Sequence, residues 1–253
     1  MKNIVLSVLF LLQFSVHAFA QSQYDVERQR ELVKSFDISE SWKAVKVFVP
    51  DESNSISIDK LINKNPKNVV IYLHGCGGIG ADELNWAKYL KDNGYFVALP
   101  DSLAIPNRKR NCEPGSSKRN AHNVPVGPLR VLEARYAFDQ ISKIASVENI
   151  FLMGHSEGGA VILMTPLMKF SAVVSIGSFC SGPKVNVSKE VPLLLINYEF
   201  DPWFKDIVNL CQDKTSHRNE NTKLIILSGL GHEASTNQEA RNSVLEFLKK
   251  NSK

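Results

Sequence analysis

The stretch Phe151-Leu152-Met153-Gly154-His155-Ser156-Glu157-Gly158-Gly159 decides how the rest of the chain is read. A short apolar run climbs to Gly154, Ser156 follows between glycines, and Ala160 to Met164 is apolar again. That order predicts a strand, a sharp turn and a buried helix with a serine at the turn, the G-x-S-x-G arrangement of a nucleophile elbow. Such a turn strains the serine backbone and lifts its Oγ clear of the sheet. Gly154 and Gly158 leave room where a Cβ would collide with the neighbouring element. The N–H of Glu157 opens the helix, where unpaired N–H groups and the positive dipole end favour a developing oxyanion.

Working outward, apolar runs alternate with helical patterns. Val45, Val47 and Val49 alternate with Lys46 and Phe48, which predicts an edge strand, and Ile56 and Ile58 between serines predict a short partner strand. Val69 to Leu73 is a continuous apolar run, the mark of a central parallel strand, and it ends in His74-Gly75-Cys76-Gly77-Gly78. A helix from about Asp82 to Asn93 and a strand from Tyr95 to Leu99 follow. Residues 101–127 form one long irregular stretch, of the kind that is usually functional inside a compact domain. Pro128 starts a helix carrying Leu129, Leu132, Tyr136, Ile141 and Ile144. Beyond the elbow, Ala172 to Phe179, Leu193 to Tyr198 and Leu224 to Leu227 read as buried strands, with a helix near Trp203 to Leu210. Thr236-x-x-Glu239 reads as a capping box opening the final helix. Strands alternating with helices predict an α/β architecture, a mostly parallel sheet of about eight strands covered on both faces.

The first 20 residues read as a cleaved leader rather than part of the fold: Lys2, the apolar run Ile4 to Leu12, and the small-x-small site Ala18-Phe19-Ala20. The apolar run is too short to span a bilayer, so no stable membrane insertion is expected after cleavage. Residues 21–253 then form a single domain in a secreted or periplasmic protein. Loss of Lys2 lowers the formal net charge from +4 to +3, too mild to argue for nucleic acid as a partner.

A serine hydroxyl is a poor nucleophile at neutral pH and needs a base and an orienting acid. Asp201 follows the strand Leu193 to Tyr198, and His232 follows the last strand in Gly229-Leu230-Gly231-His232. Both lie at C-terminal strand ends, where the active sites of open α/β sheets collect. The order Ser156, Asp201, His232 is the order in which such a triad occurs on this kind of sheet. His232 would take the serine proton and return it to the leaving group, while Asp201 fixes the imidazole tautomer. Glu199, two residues earlier on the same side of the extended chain, is the rival acid. His155 is expected to pack under the turn, and His74 to hydrogen-bond locally. No spacing suggests a metal site, and the chemistry needs no cofactor.

Leu73-His74-Gly75-Cys76-Gly77-Gly78, Leu99-Pro100-Asp101-Ser102, Gly154-His155-Ser156-Glu157-Gly158-Gly159, Asp201 and Gly231-His232 together resemble the α/β-hydrolase superfamily, and within it the dienelactone hydrolase-like group. The similarity runs from about Val45 to Leu248. It departs from that group in having Ser156 for the cysteine nucleophile and Gly75 where the group carries a glutamate. What carries over is an α/β-hydrolase fold, triad logic and hydrolysis of small acyl esters or lactones through an acyl-enzyme. The resemblance also implies an oxyanion hole made by the Glu157 N–H and a second donor on the glycine-rich turn, Cys76, with Gly77 as the alternative. No lid-sized insertion separates the strands ending at Phe179 and Tyr198, so no large cap domain is expected.

Four cysteines behind a leader favour disulfides. In the fold the resemblance implies, neighbouring strands precede Cys76 and Cys112, and another neighbouring pair precedes Cys180 and Cys211. The implied bridges are therefore Cys76–Cys112 and Cys180–Cys211. The 101–127 stretch is left as the main wall of the site. It carries Arg108, Arg110 and Arg119, candidate substrate-binding cations that would favour carboxylate-bearing esters or lactones. The same triad also serves small peptidases and acyltransferases, and a non-catalytic binding protein on this fold would be marked by loss of a triad member.

Overall fold

The computed structural model describes residues 33–108, 112, 126–165, 169–178, 186–204, 208, 211–212, 215, 218 and 221–253. Residues 1–20, expected to be a leader, lie outside the described residues. The strands are β1 Lys46–Phe48, β2 Asn68–Leu73, β3 Phe96–Leu99, β4 Asn149–His155, β5 Ala172–Ile176, β6 Leu193–Phe200 and β7 Thr222–Leu230. The α-helices are α1 Ser39–Lys43, α2 Ala81–Asp92, α3 Val126–Ile141, α4 Glu157–Met164 and α5 Gln238–Lys250. The strands make one 7-stranded sheet in the order β1-β3-β2-β4-β5-β6-β7. Only β1 runs antiparallel to its neighbour.

The central strands are apolar on both sides because both sides are covered. Val69, Ile71 and Leu73 of β2 pack with Leu152 of β4 against Ala134, Ala137 and Ile141 of α3 and Val161 and Ile162 of α4. The alternate residues Val70 and Tyr72, with Phe151 and Met153, pack against Trp86 and Leu90 of α2 and Ala240, Val244 and Leu248 of α5. Side chains alternate between faces along a strand, so a continuous apolar run is what a strand sandwiched between two helical layers requires. Each such large aliphatic side chain contributes about 1.5–3 kcal/mol by leaving water. Among the described residues no helix is long and apolar enough to cross a membrane.

Two local expectations are corrected. The strand expected at Ile56 and Ile58 is a single bridge, Ile56 to Val47, after which Ile58–Lys60 tightens into a 3-10 turn. Among the described residues the sheet therefore has seven strands, where the sequence suggested about eight. The final helix is not capped by Thr236. Asn237 is the N-cap, its Oδ1 accepting the Ala240 N–H at 3.0 Å. Asn is as good an N-cap as Thr, and it sits one residue nearer the apolar face.

Pairing in the sheet places the site. Leu73 of β2 lies beside Gly154 of β4, so the glycine-rich turn and the elbow leave the sheet next to each other. The ends of β6 and β7, which carry Asp201 and His232, pair alongside, and the Gly231 N–H reaches the Phe200 carbonyl at 3.2 Å.

Candidate active site

Ser156 sits between β4 and α4 with φ 54° and ψ −114°, a left-handed conformation rare for any residue with a Cβ. Strain of this kind costs on the order of 1–3 kcal/mol and persists only where the surroundings impose it. They do so here. The Ser156 N–H is held by the Ile176 carbonyl at 2.9 Å, and its own carbonyl accepts from Ala160 at 2.9 Å. The close approach needs glycine: a Cβ on Gly158 would lie 2.2 Å from the Leu73 oxygen, and one on Gly154 2.7 Å from the Gly158 carbonyl carbon.

His232 and Asp201 are brought together. His232 Nδ1 lies 2.7 Å from Asp201 Oδ2, and the other carboxylate oxygen accepts from the Trp203 N–H at 2.8 Å. The Asp201 side chain has no solvent exposure and that of His232 has 12%. With a carboxylate at Nδ1, the neutral imidazole carries its proton there, and Nε2 is left as the basic nitrogen. Gly177, the residue after the Ile176 that holds Ser156, is packed on His232: a Cβ there would meet its Cε1 at 3.3 Å and its carbonyl at 2.6 Å. The rings of His155, Trp203 and Phe204 stand 4.8, 5.8 and 5.7 Å from the His232 ring. Glu199, the rival acid, points to solvent at the end of β6.

The turn after β2 lies against the elbow, since a Cβ on Gly75 would come 3.4 Å from the Ser156 Cβ. The turn closes with the Gly78 N–H on the Gly75 carbonyl at 3.2 Å and places Cys76, half-buried, between them. Cys76 is joined to Cys112, Cα to Cα 5.4 Å. Cys211 is buried and disulfide-bonded; Cys180 lies outside the described residues. Glu83, in the first turn of α2, accepts from the Gly75 N–H at 3.1 Å and from the Gly80 N–H at 2.9 Å, one carboxylate oxygen to each.

The reading of Arg108 as a substrate-binding cation is corrected. Its guanidinium is buried, bonded to Glu157 Oε1 and, through Nε, to Ser102 Oγ at 3.1 Å. Arg110 and Arg119 lie outside the described residues. Arg108 belongs to a cluster that the linear sequence does not announce. Arg130 of α3, fully buried, pairs with Glu133 at 3.2 Å, lies 3.8 Å from Glu157, and donates to the His74 carbonyl at 2.8 Å. Glu133 in turn accepts from Ser41 Oγ. Burial pushes the Glu133 carboxyl up, with Arg130 acting against it. His74 accepts the Ser102 N–H at Nε2, 3.0 Å away. Burial, reinforced by Arg130, lowers its pKa to about 3, so it is a neutral ring.

A second cluster lies on the other face of the sheet. His155 Nδ1 is 3.4 Å from Glu83 Oε1 and 3.9 Å from Asp82 Oδ2. Burial works against an imidazolium at His155, but the Glu83 hydrogen bond and the charges of Asp82, Glu83 and Glu233 outweigh it and raise its pKa. Burial likewise opposes the Glu83 carboxylate; His155 and the Gly75 and Gly80 N–H groups prevail and hold its pKa at about 2. Ligand atoms of Asp82, Glu83 and His155 fall within 4.8 Å of one another, the one grouping of this kind among the described residues. The sequence signal was faint. Asp82 and Glu83 read only as the acidic first turn of a helix, and Arg130 and Glu133 as polar positions in an amphipathic one.

No protein-family model matches the chain. No curated protein matches it in sequence. Solved structures do match in fold. An esterase of Pyrococcus furiosus, Pf2001, superposes with TM-score 0.58 at 17% identity, covering 85% of this chain and 95% of that one. TT1662 from Thermus thermophilus gives 0.57 at 18%, covering 82% and 92%. Est1E from Butyrivibrio proteoclasticus gives 0.56 at 12%, covering 82% and 93%. At such identities the likeness speaks to architecture, and it agrees with the strand order and with the elbow at the end of β4: the chain has the α/β-hydrolase fold.

Proposed function

We propose that the chain is an exported serine hydrolase of small soluble esters or lactones. The observation that carries the reading is the buried Asp201–His232 hydrogen bond of 2.7 Å at the strand ends beside the strained Ser156. Ser156 Oγ attacks the substrate carbonyl carbon as His232 Nε2 takes its proton. Asp201, whose Oδ2 accepts the His232 Nδ1–H, stabilises the imidazolium that forms. The tetrahedral oxyanion is met by the N–H of Glu157, free at the first turn of α4, and by that of Cys76 or Gly77. Collapse expels the alcohol, which leaves with the His232 proton, and water repeats the sequence on the acyl-enzyme.

Small soluble substrates fit the short 177–192 connection between β5 and β6, which has no room for a cap domain. The leader-like residues 1–20 and the cysteine bridges support export. The esterase Pf2001 among the structural neighbours supports ester chemistry. The serine nucleophile and Gly75 set the chain apart from the dienelactone hydrolases it resembles, and the lactone half of the reading rests on that resemblance alone.

The test is labelling of the mature protein by a fluorophosphonate probe. Wild type is expected to be labelled at Ser156, and Ser156→Ala not at all. Equal labelling of the two would remove the nucleophile from the scheme. A panel of aryl esters, lactones and aminoacyl amides of graded length then separates ester, lactone and amide preference.

A further inference from the structure

The catalytic scheme uses Ser156, His232, Asp201 and two backbone N–H groups, and leaves the buried Asp82, Glu83 and His155 without a role. Their contacts reach all three loops of the proposed site. Glu83 accepts from both ends of the glycine-rich turn, Gly75 and Gly80. The same carboxylate meets His155 Nδ1, the residue before the nucleophile. Asp82 Oδ1 accepts the Ser235 N–H at 2.8 Å, three residues after His232. The His155 ring backs onto that of His232 at 4.8 Å. These acids are both at most 4% exposed, where a charge is retained only if it is paired and hydrogen-bonded.

We propose that Asp82 and Glu83, at the start of α2, are positioning residues that hold the oxyanion turn, the elbow and the histidine loop in one geometry, with His155 as the link. The proposal rests on the hydrolase reading and deepens it. Glu83 is the centre of the brace. The turn presents two N–H donors and a carboxylate supplies two acceptor oxygens, whereas an amide has one. Glu83→Gln, equal in size, must therefore release either Gly75 or Gly80 and also leaves His155 facing an uncharged partner. A displaced turn misplaces the Cys76 or Gly77 donor, which acts where charge develops in the transition state and not in substrate binding.

The experiment has two arms. In the first, 4-nitrophenyl acetate turnover and thermal midpoint are measured for wild type, Glu83→Gln, Asp82→Asn and the double variant Glu83→Gln/His155→Gln. Glu83→Gln is expected to lower kcat about 10- to 100-fold with KM within about threefold, and Asp82→Asn to lower it less. The double variant removes both members of the buried Glu83–His155 contact, so it regains part of the lost thermal midpoint. It regains none of the kcat, because the turn still lacks its second acceptor. Recovery of kcat in step with the midpoint would show a merely structural role and overturn the proposal, as would a loss confined to KM. Loss of wild-type activity in EDTA, restored by a divalent ion, would replace the His155–Glu83 hydrogen bond with a bound cation as the link and also overturn it.

The second arm does not depend on hydrolysis, so it stands even if wild type turns over nothing and the functional reading fails. Amide hydrogen exchange in Glu83→Gln is expected to rise in 75–80 and 232–235 and to stay at wild-type levels in β2 and β4. Unchanged exchange in both loops, or a uniform rise across the domain, counts against the brace.

Discussion

His74 and His155 lie at the ends of adjacent parallel strands, each one place beyond the paired residues Leu73 and Gly154, and the structure shifts their pKa values in opposite directions. The His74 ring turns to α3, where burial and the guanidinium of Arg130 keep it neutral and the Ser102 N–H occupies its Nε2. The His155 ring turns to α2, where Glu83 and Asp82 overcome the cost of burial and favour its cation. Around His74 lie Arg108 and Arg130 with Glu133, Glu157 and Asp101, and around His155 two carboxylates with a third, Glu233, nearby. The same residue type in the same strand-end position thus takes its chemistry from the helix it faces. Each ring abuts a different part of the proposed machinery: His74 through Arg130 and Glu157 the start of α4, His155 the back of His232.

The largest effect is expected at the third histidine, which belongs to neither cluster. If Asp201 is the partner of His232, Asp201→Asn lowers turnover on the order of a thousandfold or more by freeing the wrong tautomer. Both buried clusters stay intact, so the unfolding midpoint should move little by comparison. Glu199→Gln, at an exposed carboxylate, should cost far less; the reverse ranking in steady-state kinetics would hand the role to Glu199.

Next comes the α3 cluster. Arg130→Met keeps much of the volume but leaves the buried Glu133 without its cation, while Glu157 keeps Arg108. Removing one partner from a buried ionic cluster costs about 3–5 kcal/mol. Urea unfolding is the measurement, and a loss below about 1 kcal/mol would mean that the cluster is balanced without Arg130.

The opposed histidines also predict opposed pH dependences of stability. His74 has a folded pKa of about 3, below its ordinary 6.5, so its contribution is complete above pH 6.5 and is lost as pH falls toward 3. Glu83, held at about 2 against an ordinary 4.5, adds a loss in the same direction, below pH 4.5. His155, raised, contributes fully below pH 6.5, and its contribution is lost as pH rises through its folded value. His74→Gln should flatten the acid limb of a stability curve taken from pH 3 to 8, and His155→Gln the alkaline limb. Parallel curves for the two variants would dissolve the contrast.

The smallest effect concerns substrate charge. With Arg108 committed to Glu157, a preference for carboxylate-bearing esters falls to Arg110 and Arg119. Arg110→Ala/Arg119→Ala is expected to lower the kcat/KM ratio of an anionic over a neutral ester of equal size only a few-fold, and less at high salt. A ratio indifferent to both mutation and salt leaves these arginines as solvated surface.

Much of the architecture was legible in order and spacing. Val69 to Leu73 announces a strand covered on both faces, because only such a strand can be apolar at every position. The elbow is legible because the serine and its flanking glycines fall within five consecutive residues, although the contact that demands Gly158 comes from the distant Leu73. Asp201 and His232 could be named because each follows an apolar run directly, and parallel strands deliver their ends to one edge of the sheet. The extra strand at Ile56 was misread because two alternating isoleucines are too few to separate a ladder from one bridge. Arg108 was misread because a basic loop looks solvated unless its buried counter-charge, 49 positions away, is known.

By itself, then, the sequence determined the alternation of strands and helices, the strained serine turn and the order of the residues proposed for catalysis, all of which depend on local pattern and chain direction. The tertiary structure alone decided which face of the sheet each strand-end histidine meets, that Arg108 is spent on Glu157, and that Asp82 and Glu83 reach three loops at once. Charge state and hydrogen-bond partnership inside a protein are set by what lies within a few ångströms, and those neighbours come from helices far away in the chain.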